Sequence, residues 1–255
     1  MPENTAVRYR ATLAYDGTTY QGFQRQITGI PTVQGMVEQA IKQVTQQAVS
    51  IIGAGRTDSG VHATGQVIAF DVIWKHQDRD LLRAINACLP SDIALQDIRQ
   101  HMGFHPRYDA QARTYRYQVI QAEHPQPLLR TVTWRVYKPL ELDLMREAAK
   151  MLIGEHDFAS FGQPPQGNNT VREVFRSEWL IEPNQFSELL IYEVEATAYL
   201  YHMVRRIVGT LVAIGRGDLT LTQFQELFAS CDVSQIKVMA PPQGLTLVRV
   251  DYKNE

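Results

Sequence analysis

Cysteine is scarce: Cys88 and Cys231 are the only two in 255 residues. Such a pair builds no disulfide scaffold, and it lacks C-x-x-C spacing. Long apolar runs are also missing. The longest candidate, Ile207 to Ile214, is interrupted by Gly209 and Thr210, far short of the roughly 18–20 residues that span a bilayer. The opening MPENTAVRYR has no apolar stretch of the signal-peptide kind. Neither sign of charge dominates, with 25 Lys and Arg against 27 Asp and Glu and a net of −2. That balance excludes a uniformly basic nucleic-acid binder but leaves room for a local basic surface. These absences predict a soluble cytoplasmic chain without a membrane partner. What is present, 44% hydrophobic and 20% charged residues, is a globular composition. The length suits one large domain or two small ones.

Periodicity gives the element order. Residues 7–16 alternate and end at the turn signal Asp16-Gly17, so they read as a strand. Val33, Met36, Val37, Ala40, Ile41 and Val44 recur at helical spacing over 33–47, after Pro31 and a candidate N-cap at Thr32. Strands follow at 49–52, 67–72 and 93–98, with a helix over 78–88 stopped by Pro90. The result is β-α-β-β-α-β, the split βαβ or ferredoxin-like order. Residues 113–121, 173–182, 188–198 and 245–250 read as further strands, with a turn at Pro183-Asn184 and helices at 142–152, 200–214 and 220–229. Residues 162–171 read as a loop. The predicted fold class is α+β: two ferredoxin-like halves, each a mixed, mainly antiparallel sheet with helices packed on it. The halves are placed at 1–108 and 109–255. No residue-level repeat links them.

Charge is unevenly spread. Residues 99–138 hold seven Lys and Arg (Arg99, Arg107, Arg113, Arg116, Arg130, Arg135, Lys138) against Asp109 and Glu123, a net of +5, with Tyr108, Tyr115 and Tyr117 interleaved. Residues 201–216 add Arg205, Arg206 and Arg216 without an acid. Clustered arginine with aromatics suits phosphate contacts and base stacking, although a solvated strand face accounts for it equally well.

Three motifs invite chemistry. Tyr15-Asp16-Gly17-Thr18 superficially matches an aspartyl-phosphate loop, but the nucleophile position is Ala14, so it reads as a turn after a strand. Gly53-Ala54-Gly55 opens no helix, and Asp58 stands where a dinucleotide fingerprint needs its third glycine. Gly55-Arg56-Thr57-Asp58-Ser59-Gly60-Val61-His62-Ala63 remains. Two glycines bracket a basic and an acidic side chain and allow close backbone approach to a ligand. In extended chain Arg56 and Asp58 share a side. Taken singly, Asp58 is a cap or turn residue and His62 a packed or exposed histidine; no Cys/His spacing suits a metal.

As a whole, that segment resembles the active-site loop G-R-T-D-A-G-V-H of the tRNA pseudouridine synthase A family, with Ser59 for the usual Ala. Further matches follow in order: Asp16-Gly17; Gly22-Phe23-Gln24-Arg25-Gln26, with Phe for Trp; Phe104-His105-Pro106-Arg107; Ala112-Arg113-Thr114-Tyr115-Arg116-Tyr117; Asp157-Phe158-Ala159-Ser160-Phe161; and His202-Met203-Val204-Arg205-Arg206-Ile207-Val208-Gly209. The resemblance covers nearly the whole chain. It implies conversion of uridine to pseudouridine at positions 38, 39 and 40 of the tRNA anticodon stem-loop by a homodimer. It implies Asp58 as nucleophile, Tyr115 against the target base, Arg205 paired with Asp58, and Arg56 helping to extrude the nucleotide. His62 joins the substrate-binding set.

These roles are chemically coherent. The isomerisation breaks N1–C1′ and makes C5–C1′ with no redox change and no net hydrolysis, so no metal or nucleotide cofactor is expected. A single carboxylate starts it either by attacking carbon or by removing a sugar proton. Beside RNA phosphates, a carboxylate needs a cation to stay ionised, and arginine supplies a permanent one. On a helical wheel Arg205 flanks the stripe Met203, Val204, Ile207, Val208 and Leu211, while Arg206 points nearly opposite and is expected in solvent. Tyr115 offers a face for an unstacked uracil. Two alternatives stand beside this reading. A non-catalytic tRNA-binding module or RNA chaperone rests on the Arg/Tyr-rich segment alone. A glycosidic hydrolase using Asp58 needs a second carboxylate that no sequence neighbour provides.

Overall fold

The computed structural model describes residues 5–26, 29–184 and 187–253. The leader reading at the first ten residues therefore falls partly outside the described residues. The chain divides into two compact units, one ending at Gln111 and regaining the chain from Leu247 onward, the other spanning Ala112–Thr246.

In the first unit the sheet runs β4 (Ile93–Gln100), β1 (Val7–Tyr15), β3 (His62–Val72) and the last strand of the chain, β10 (Leu245–Tyr252). The short β2 (Ile52–Gly53) pairs with the far end of β3 at Ile68 and Ala69. β1 is antiparallel to both β3 and β4, and β3 to β2, which is the expected split βαβ arrangement. Alternation along β1 buries Tyr9, Ala11, Leu13 and Tyr15 on one face. Helix α1 (Val33–Thr45) starts where the Thr32 hydroxyl accepts the Gly35 N–H, and it buries Val33, Val37, Ala40 and Ile41. It stops at Gln46, whose φ of 59° cannot continue a helix. Helix α2 (Asp78–Cys88) buries Leu81 and Ile85.

The second unit holds β5 (Ala110–Gln121), β6 (Trp134–Val136), α3 (Leu142–Lys150), β7 (Gly154–Asp157), β8 (Val171–Asn184), β9 (Ser187–Ala196), α4 (Met203–Gly215) and α5 (Leu221–Ala229). Its strands run β5-β9-β8-β7, all antiparallel, with β6 parallel on the other edge of β5. Tyr117, Val119, Tyr192 and Val194 are buried with the apolar stripe of α4. Phe158, Phe161, Phe224 and Phe228 pack ring to ring, with centroids 5.2 to 6.4 Å apart.

Several elements differ from the sequence reading. The strand expected at 49–52 is only Ile52–Gly53, because the Ile51 N–H and carbonyl bond to the Glu38 and Gln34 side chains of α1; β10 pairs with the same edge of β3 further along. The close fit is visible at Gly65, where a Cβ would lie 2.1 Å from the Val248 carbonyl oxygen. For the same reason the chain from Leu247 on belongs with the first unit, rather than with the half read as 109–255. The strands β6 and β7 are too short to show a period. β8 runs through Pro183 and Asn184, where a turn was expected.

Candidate active site

The 55–62 loop lies on the chain that follows β1, and its backbone is bonded at Gly55, Thr57, Asp58, Gly60 and Val61. The Asp58 carbonyl accepts the Val61 N–H at 3.2 Å, and Gly60 has φ +77°, the position at which a turn of this kind needs glycine. Gly60 and Phe23 then donate N–H bonds to Tyr20 O (3.4 Å) and Thr57 O (3.1 Å). The Ser59 hydroxyl reaches Tyr20 O at 3.2 Å and the Gln21 side-chain oxygen at 3.3 Å. The buried Thr57 and Tyr15 hydroxyls lie 2.8 Å apart. Fully buried Gln66 clamps Gly55 by both its N–H and its carbonyl.

Two glycines make this proximity possible. A Cβ on Gly17 would stand 2.0 Å from the Val61 oxygen, and one on Gly22, at φ +84°, 2.8 Å from the Thr57 oxygen. The Y-D-G and G-F-Q-R-Q segments are thus the bed of the aspartate loop. Nothing in linear sequence assigns them that task; the signal that finds them is glycine at 17 and 22.

Within this unit Arg56 is exposed, Asp58 half-buried and His62 buried. The Nδ1 of His62 lies 3.1 Å from the Gly17 N–H and 3.1 Å from an Asp16 carboxylate oxygen, so this ring also ties the bed to the loop. Burial acts to raise the Asp16 pKa, but hydrogen bonds from Thr18 and the nearby His62 outweigh it and hold the carboxyl below its ordinary value.

In the second unit Tyr115 sits on β5 opposite Val194. It is 8% exposed and packs edge-on to Tyr199 with centroids 4.9 Å apart. Tyr199 is fixed in turn: its hydroxyl donates to Arg113 O and Val194 O, and burial pushes its phenol far up. Arg205, on the first turn of α4, is 9% exposed. Its Nε donates to Ala240 O at 2.8 Å, while Ala240 N–H returns to Arg205 O at 3.0 Å. Gly209, where a Cβ would lie 2.5 Å from Val238 O, lets that segment close on the helix. Burial raises the Tyr117 phenol, and the charge of Arg205 partly opposes the rise. The second unit therefore gathers Tyr117 and Arg205 on the covered side of its sheet.

Arg206 differs from expectation. It is half-buried, and its Nη1 donates to Phe161 O at 3.2 Å and Tyr201 O at 2.8 Å. Its partners lie at the end of the D-F-A-S-F segment and just before α4, brought close by Gly162, where a Cβ would be 2.4 Å from Tyr201 O. His202 begins α4 with φ 62°, a conformation that costs a non-glycine residue energy and clusters at functional sites. Sequence reading had no means of finding it. The basic 99–138 segment is also less open than its composition implies. Arg113 donates to Thr197 O, Arg116 pairs with Glu193 at 2.6 Å, and Arg135 donates to Glu123 O. Tyr115 and Tyr117 are buried, whereas Tyr108 is 78% exposed. Among the described residues no group of three or more His, Cys, Asp or Glu is placed to hold a metal, and no helix is long and apolar enough to cross a membrane.

The family model described as tRNA pseudouridine synthase matches residues 11–109 and 148–253. The chain is 39% identical over 247 residues to tRNA pseudouridine synthase A of Pseudothermotoga lettingae, covering 96% of this chain and 99% of that protein. It is 43% identical over 247 residues to the protein of the same name in Chloroflexus aurantiacus, covering 94% and 87%. It is 39% identical over 251 residues to that of Neisseria meningitidis serogroup B, covering 96% and 92%.

Proposed function

This chain belongs to the tRNA pseudouridine synthase family, isomerases that convert uridine to pseudouridine in tRNA, and from that premise we propose that Asp58 is its nucleophile and that it acts at positions 38, 39 and 40 of the anticodon stem-loop. The observation that carries the reading is the aspartate loop itself. A half-buried carboxylate stands on a turn whose backbone is bonded at Gly55, Thr57, Asp58 and Gly60. Such a loop presents one charged group at a fixed point while neighbouring groups stay put.

The target nucleoside leaves the stack to reach Asp58. Arg56, exposed beside it, takes up the space and the phosphates left behind. Asp58 opens the reaction either at carbon or at a sugar proton. N1–C1′ breaks, the base turns over, and C5–C1′ forms. The C5 proton then leaves and N1 gains one, so the product is an isomer of the substrate. Tyr115 lies against the base, and Arg205, already braced by Ala240 O, is the cation that pairs with the carboxylate. His62 completes the substrate-binding set from beneath the loop. No cofactor enters this scheme. The protein works as a cytoplasmic homodimer on tRNA.

The test is tritium release from a tRNA transcript labelled at uridine C5. Wild type releases tritium. Asp58→Asn retains tRNA binding and releases none; full release by that variant ends the proposal.

A further inference from the structure

Outside the aspartate loop, the first unit displays an aromatic built to be both rigid and open. Residues 105–109 form a single hydrogen-bonded turn: Asp109 N–H donates to His105 O at 3.1 Å, and His105 N–H to the Asp109 carboxylate at 2.8 Å. The His105 ring is locked within it, because its Nδ1 accepts the N–H groups of both Arg107 (3.2 Å) and Tyr108 (3.1 Å). Tyr252 secures the turn from below by donating its hydroxyl to Pro106 O at 2.8 Å. On this fixed imidazole lies the Tyr108 ring, centroids 4.0 Å apart and planes inclined by 21°. One face of the tyrosine is thus backed by a ring, yet the residue is 78% exposed. On the same stretch His101 repeats the arrangement: exposed, and stacked on buried Phe104 at 4.8 Å and 18°. A lone exposed tyrosine needs no explanation. One that is pre-stacked, in a segment carrying Arg99 and Arg107 and with its acid Asp109 tied to backbone, has the composition of a nucleobase platform.

We infer that Tyr108, on its His105 backing, stacks against an unpaired base of the RNA substrate and contributes affinity rather than chemistry. The inference rests on the substrate being tRNA. Because the ring is already ordered, stacking costs little conformational entropy.

The experiment measures the Kd of an unmodified tRNA transcript for wild type, Tyr108→Phe and Tyr108→Leu across a salt series, with tritium release, thermal melting and sedimentation on the same samples. Tyr108→Phe keeps the stacking face and binds like wild type. Tyr108→Leu keeps an apolar side chain without the ring, and it binds about tenfold more weakly. The salt slope stays unchanged, because no cation is lost. Equal affinity of Tyr108→Leu and wild type overturns the inference. So does a loss of affinity accompanied by a lower melting temperature, or a change in oligomeric mass, which would assign the ring to a second copy. If wild type releases no tritium while Tyr108→Leu still binds weakly, the catalytic reading fails and the platform stands. If wild type is active and Tyr108→Leu binds normally, the platform alone fails.

Discussion

Gly17→Ala tests how tightly the bed holds the aspartate loop. The new Cβ would lie 2.0 Å from the Val61 oxygen and 2.6 Å from its carbonyl carbon, where real Cβ atoms keep at least 3.0 Å. The obstacle is backbone, not the end of a flexible side chain, so the two segments must part by about 1 Å. Val61 donates its N–H to the Asp58 carbonyl, so the displacement passes directly to the turn that carries the carboxylate. Overpacking of this kind costs about 1–3 kcal/mol. For a protein of this size each kcal/mol lowers Tm by roughly 2–4 °C, giving a fall of about 2–12 °C. The effect on chemistry is larger, since a misplacement of about 1 Å at a catalytic group can cost on the order of 100-fold. Gly17 touches no RNA in this scheme, so tRNA affinity is spared. The assay is tritium release at saturating tRNA at 25 °C, where the variant remains folded, beside a melting curve. A lower kcat with little change in KM is expected. Wild-type kcat together with an unshifted Tm would refute the steric reasoning. A loss of release that follows only the unfolded fraction would refute the link to Asp58.

Two further outcomes concern stability. The buried Glu38 carboxylate accepts Arg25 Nη1 at 2.6 Å, Gln34 Nε2 at 2.8 Å and Ile51 N–H at 3.0 Å. Glu38→Ala strands the buried Ile51 N–H, while Gln34 Nε2 keeps the Ile51 carbonyl at 3.2 Å, and should cost about 2 kcal/mol, read as a lower urea midpoint at unchanged m; an unmoved midpoint contradicts the assignment. The hydrogen bonds from Arg8 hold the Asp71 carboxyl below its ordinary value. A depressed folded pKa contributes stability above the unfolded value of about 3.9 and loses it as pH falls through the folded value. Because Arg8 and Asp71 are 25% and 47% exposed, the effect is at most about 1 kcal/mol. Urea midpoints at pH 7 and pH 3 should therefore fall less for Asp71→Asn than for wild type, and equal falls would discount the pair.

Local patterns settled a good deal of this molecule before any coordinates. Helix α1, with its Thr32 cap and apolar stripe, depends on residues within a few positions of one another, and so does the alternation along β1. The Gly-flanked Asp58 turn is legible for the same reason: its glycines and its charges are neighbours in the chain. Burial and pairing were not legible. Whether β10 joins the first unit depends on the edge of β3, some 180 residues earlier. That Gly17 and Gly22 support the aspartate loop depends on contacts across roughly 40 residues. Arg205 and Arg206, adjacent on one helix, were expected to differ in exposure by their angles alone; the carbonyls of Ala240, Phe161 and Tyr201 decided what each one holds. Tyr108, Tyr115 and Tyr117 are equivalent as letters in a basic segment, and only packing buried two of them and left the third open. Periodicity and turn chemistry act within a few residues, so sequence carries them. Burial is set by which distant segments meet, and only the folded chain brings those together.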